Sequence, residues 1–259
     1  VIIEVPYDAD AALALADLAA GLAGHGRAGR PSPLASALVL AGRATSSMRN
    51  RLERFPAGTA LVQESLRHAS RGVFAHDGVV AARVEFDDSV ARAPVLLAAF
   101  EQPSAGASAT LTAGLRLADA ASLAGPGPDA RARLGGATRL RTAPLAPAVV
   151  AGYLAAVGDP NPIHADRDRA RALGLTGPVA PGGLIALLAE AAARALDFPS
   201  GATVYSGRFL SPALVGEPLE LAVAPRPSSG EAAEARVLVM TPGLRLVAVL
   251  DLRAESARG

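Results

Sequence analysis

Two short turns of nearly the same composition constrain the fold most. Phe55-Pro56-Ala57-Gly58 and Phe198-Pro199-Ser200-Gly201 stand 143 residues apart in a chain of 259. Each follows an alanine- and leucine-rich segment that reads as a long helix, and each precedes a run that reads as a strand. Two copies of one α+β unit are therefore expected. A shift of 143 lays the helix of residues 183–196 over 40–53. It also lays Asp159 on Ala16, His164 on Gly21 and Gly182 on Val39, so the first copy lacks the polar residues of the second.

The elements between these landmarks agree with a repeat. Residues 2–5 predict a strand, and Asp8 or Asp10 caps a helix to about Leu22. A Gly/Pro/Arg-rich loop follows, then a second helix over 34–54. Strands are expected over 60–68, 79–86, 93–100 and 108–117, alternating and closely spaced as in an antiparallel sheet. Residues 120–136 hold alanine, glycine and proline with no period and read as a linker. This gives an N-terminal domain over 1–119 and a C-terminal one over 137–259. The second domain restarts with a strand over 138–141 and a helix over 147–157 that stops at Gly158. A short helix capped by Asp166 and a helix from Gly182 to about Leu196 come next, then strands over 203–210, 218–224, 232–240 and 244–252.

Composition excludes several classes. Hydrophobic residues make up 51%, enough for a sizeable core, yet Arg, Asp, Pro or Gly breaks each apolar run before a membrane span's length. There is no cysteine, hence no disulfide framework or thiolate metal site. A net charge of +1 and 3% aromatics argue against a nucleic-acid binder. No charged-then-apolar leader is visible, and a cytoplasmic protein is expected.

The chemistry concentrates in Gly158-Asp159-Pro160-Asn161-Pro162-Ile163-His164. An acid stands five residues before a histidine in a loop stiffened by two prolines. Eighteen residues after His164, Gly182-Gly183 opens an apolar helix. A lone histidine is more often a packing residue, and His25, His68 and His76 are read that way. Asp166 is read as a cap, and Arg208 as a solvated strand residue rather than a phosphate contact. Asp159 and His164 lack a third ligand at recognisable spacing, so no metal is expected.

The motif resembles the signature of the MaoC-like, or type 2 (R)-specific, enoyl-CoA hydratases. It stands here as Tyr153, Gly158 to His164, Asp166, Ala170 and Gly182. The strong resemblance covers about 137–252, and the first half only through element order. It implies a double hot dog, two antiparallel sheets each wrapping a helix, with a degenerate first half. The chain would be a pseudo-dimer, with further homodimerisation possible. It also implies hydration of trans-2-enoyl thioesters, or dehydration of (3R)-3-hydroxyacyl thioesters, without a cofactor. The partner would be an acyl-CoA or acyl-carrier-protein thioester. By the same resemblance Asp159 activates water, while His164 orients it and takes part in delivering a proton to C2. The histidine's ordinary pKa of about 6.5 suits this near neutral pH. The N–H of Gly182, or of Gly183, would hold the thioester oxygen at the helix start. Asn161 braces the loop or touches substrate, and bracing is the favoured reading.

Two departures bear on substrate. Pro181 stands where many relatives have histidine. Glu190 stands eight positions after Gly182, where a small hydroxyl residue is common. A hot dog acyl thioesterase, and an inert acyl-binding partner subunit, are the competing expectations.

Overall fold

The computed structural model describes residues 2–46, 58–76, 78–90, 92–123, 127–199, 204–226 and 232–254. The chain opens with β1 (Ile2–Pro6) and α1 (Ala9–Leu22). The Asp8 carboxylate starts α1 by accepting the Ala11 N–H at 2.8 Å. α2 (Pro33–Thr45) starts on the Ser32 hydroxyl, with proline in its first turn. The expected extension of α2 past residue 46, and the turn at Phe55, lie outside the described residues. Four strands follow: β2 (Thr59–Arg71), β3 (Val79–Asp87), β4 (Val95–Gln102) and β5 (Ala107–Asp119).

The stretch read as a linker holds α3 (Ala120–Leu123) and a 3₁₀ turn, Arg131–Arg133. Its second part is anchored, since Ala130 is fully buried among Ala222, Leu238, Met240 and Leu246. Beyond it come β6 (Thr138–Arg141), α4 (Pro147–Val157) and a 3₁₀ turn, Pro162–His164. Then follow α5 (Arg167–Ala172), α6 (Gly182–Arg194), β7 (Val204–Phe209), β8 (Glu220–Arg226), β9 (Ala233–Met240) and β10 (Leu246–Ala254).

The strands form one ten-stranded sheet in the order β1-β3-β4-β5-β2-β7-β10-β9-β8-β6, with antiparallel neighbours. Read outward from the centre, both halves follow one order: first strand after the central helix, last, second-last, third-last, opening strand. The halves meet where β2 pairs with β7, from Ser65 opposite Arg208 to Ala69 opposite Val204. Ser65 and Arg208 are themselves 143 residues apart. At that point a residue pairs with its own counterpart, the signature of a local two-fold.

The central helices obey the symmetry with a different offset. α2 packs on β3, β4 and β5, and α6 on β8, β9 and β10. The flanking helices cross over, α1 lying against α6 and α4 against α2. Covered on both sides, α2 and α6 are buried along most of their length, in one cluster that spans both halves. They begin at Pro33 and Gly182, 149 residues apart, so the uniform shift of 143 fails over the helices. The counterpart of Gly182 is Pro33, not Val39. Ala16 and Gly21 lie inside α1, whereas Asp159 and His164 lie beyond the end of α4. Packed elements hold their places while connections change length. None of the described helices is long and apolar enough to cross a membrane.

Candidate active site

α4 ends because Gly158 turns left-handed, at φ 63° and ψ 30°, a region where a Cβ is strained. That turn carries Asp159 off the helix axis. Asp159 Oδ1 accepts the Asn161 N–H at 2.9 Å, which fixes the carboxylate against its own loop. The Asn161 side chain accepts the Ile163 N–H at 3.4 Å and donates to Leu61 O at 2.8 Å. Leu61 belongs to β2, so the loop is tied to the half that lacks the motif. Ile163 plugs a small apolar cluster with Ala60, Leu173 and Val179.

His164 is buried. Its Nδ1 lies 2.7 Å from Val179 O, and a carbonyl only accepts, so Nδ1 carries the proton. The lone pair of the neutral ring is then on Nε2. Nε2 stands 3.6 Å from Asp159 Oδ2, too far for a direct hydrogen bond and short enough for one water to bond both.

α6 begins beside this pair. Pro181 is its N-cap, and the first intrahelical bond runs from the Ile185 N–H to Pro181 O. The N–H groups of Gly182 and Gly183 have no acceptor among the described residues, leaving free donors at the positive end of the helix dipole. Tyr153 is buried against the same start, its hydroxyl 2.1 Å from where a Gly183 Cβ would stand. Burial, and secondarily the Asp159 carboxylate, push its pKa up, so it stays a donor.

Two cavities meet here. One of about 540 Å³ contains Asp159 and is walled by Leu38, Leu66, Leu96, Leu111 and Leu115 of the first half. A smaller one of about 140 Å³ contains His164 and reaches Arg116 and Ser211. Leu61, Gln63 and Gly182 line both. Sequence reasoning missed Gln63, because no motif marks it and it lies in the half without one.

The remaining sequence candidates fall elsewhere. The Asp166 carboxylate caps α5 through the Asp168 and Arg169 N–H groups, each at 2.9 Å. Glu190 faces away from Asp159 and accepts from Arg194 at 2.6 Å and Tyr205 at 2.7 Å, at a separate cavity. Buried His68 donates to Thr110 O and stacks on Tyr205, ring centroids 5.3 Å apart. Arg208 is exposed on β7, and His76 is exposed beside Asp10. No group of three metal-ligating side chains occurs among the described residues.

Residues 130–227 match the family model of the MaoC like domain. No curated protein sequence matches the chain. Among solved structures, a MaoC-like dehydratase superposes with a TM-score of 0.70 at 15% identity, over 99% of this chain and 98% of that one. HtdX from Mycobacterium tuberculosis gives 0.69 at 21% identity, over 98% and 99%. A conserved hypothetical protein of the same organism, described as having a double hotdog fold, gives 0.51 at 18% identity, over 96% and 86%. The fold is the double hot dog.

Proposed function

We propose that this chain, which carries a MaoC-like domain in its C-terminal half, adds water reversibly to trans-2-enoyl thioesters to give (3R)-3-hydroxyacyl thioesters. The observation that carries this reading is the orientation of His164. With Nδ1–H held by Val179 O, Nε2 and the Asp159 carboxylate are two acceptors facing one gap at the mouth of an apolar cavity.

One water in that gap presents a hydrogen to each acceptor and an oxygen lone pair to the substrate. The oxygen bonds to C3 as the pair accepts a proton, and the C2=C3 π electrons move toward the thioester oxygen. The free N–H groups of Gly182 and Gly183 stabilise that charge. The proton returns from the pair to C2, so that one water is added across the double bond. Both bonds form on the face that meets Asp159 and His164, which gives syn addition. Dehydration is the same path reversed.

Labour divides between the halves in this reading. Residues 137–259 supply the acid, the base and the oxyanion donors, and residues 1–119 wall the acyl chain. Asn161 joins them through Leu61 O. The thioester is borne by CoA or by a carrier protein. The test follows the enoyl-thioester absorbance over C4 to C12 chains, with a parallel assay for free thiol. Loss of absorbance without thiol release supports the hydratase. Thiol release points to a thioesterase, and tight acyl-CoA binding with no turnover points to an inert acyl-binding subunit.

A further inference from the structure

Gln63 lies on β2, in the half without the motif, and a break in the strand's register aims it at the site. β2 faces β5 with Gln63 opposite Leu115, then Ser65 opposite Gly114 and Leu66 opposite Ala113. One extra residue, Glu64, is inserted between the pairs. In an uninterrupted strand Gln63 would share a face with Ser65 and Arg67, away from Leu66 and His68. The bulge reverses that alternation. Leu61, Gln63, Leu66 and His68 then all face inward, opposite the inward-facing Leu117, Leu115, Ala113 and Leu111.

The carboxamide comes to rest against the start of α6. A Cβ on Gly182 would stand 2.2 Å from Gln63 Oε1 and 3.3 Å from Gln63 Cβ, so Gln63 fills the space that glycine leaves. The group is poorly satisfied there. Nε2 reaches only Ser65 O, at 3.4 Å, and Oε1 has no donor among the described residues. A half-buried amide with unused hydrogen-bonding capacity thus sits where the two cavities meet, beside two unpaired N–H groups. A half-turn about its last bond exchanges oxygen for N–H without moving the stem.

We infer that Gln63 is a further oxyanion donor: its amide N–H binds the thioester oxygen together with the N–H groups of Gly182 and Gly183. The half that lacks the motif then contributes directly to the reaction. This rests on the hydratase reading above. Enoyl-thioester hydration is measured for wild type, Gln63→Leu and Gln63→Glu, two variants of similar size that lack the donor. Melting confirms which of them is folded. For Gln63→Leu, kcat is expected to fall about tenfold to a hundredfold at every chain length, with KM changed much less. Gln63→Glu is expected to fall further, because its charge opposes the developing oxyanion. A merely space-filling role does not produce that ranking. If wild type is active and either folded variant keeps wild-type kcat, the inference is overturned and the hydratase reading stands. If wild type hydrates no enoyl thioester, both fall together.

Discussion

The cavity at Asp159 and the cavity at His25 occupy corresponding places in the two halves, and only one carries the motif. Leu38, Ala41, Gly42 and Thr45 of α2 line the first. Leu187, Glu190, Ala191 and Arg194 of α6 line the second, each 149 positions further along. In both, the wall opposite is the loop that follows the other half's flanking helix. The first cavity is mostly apolar around Asp159. The second, of about 730 Å³, holds Arg27, Arg30 and Arg194, with Glu190 tied to Arg194 and Tyr205. The packed elements of the two halves correspond while the loops differ, so the fold alone does not distinguish the two cavities. In the proposed reading, the chemistry of the loop singles out the cavity at Asp159.

Four substitutions, with His25→Ala as a neutral control, probe the contrast, from the largest effect downward. Asp159→Asn is expected to cut turnover by roughly 10²–10⁴, while His25→Ala leaves it unchanged. Equal loss in both would break the distinction between the cavities. Glu190→Ala strands Arg194 and the buried Tyr205 hydroxyl, which costs about 3 kcal/mol of stability in urea denaturation. Hydration by the folded variant is expected to match wild type. A loss of kcat without a loss of stability would instead tie Glu190 to catalysis.

His68 gives the pH prediction. Burial lowers its pKa to about 4, with the bond to Thr110 O opposing. The native ring is neutral, and the unfolded histidine protonates near pH 6.5. The unfolded state therefore binds more protons in between. Stability is full above pH 6.5 and declines by about 3 kcal/mol as pH falls to about 4. His68→Leu should flatten that limb in unfolding midpoints measured from pH 4 to 7, and an unchanged slope would assign it to other groups. The smallest effect is expected at Gly42, whose Cβ would stand 1.6 Å from Val157 O, one residue before Gly158. Gly42→Ala should cost roughly 1–3 kcal/mol through overpacking. It should also lower kcat by moving the loop. Unchanged kcat would uncouple that contact from the Asp159 loop.

Much of this was legible in the sequence. The strands of both halves and the stop at Gly158 follow from local chemistry, and the structure places them within a few residues; of the two caps the sequence offered, Asp8 and Asp10, it is Asp8 that starts the helix. The motif brought Asp159, Asn161, His164, Gly182 and Gly183 to one site, because a stiff loop and a glycine-led helix start need few long-range contacts to be recognised. Three features were not legible. The helix offset of 149 was hidden because the repeat was anchored on a turn, and connections change length. Gln63 was hidden because a bulge reverses strand alternation without a residue type that announces it. Glu190 looked like a site residue by position, and only its bonds to Arg194 and Tyr205 show that it faces the other cavity.

The most direct test of the account is hydration of an enoyl thioester by wild type, Asp159→Asn and His164→Gln, measured side by side on folded protein. Turnover by wild type with collapse in both variants is the expected result. Wild-type turnover that survives either substitution would contradict it, and would move the chemistry away from the gap between Asp159 and His164.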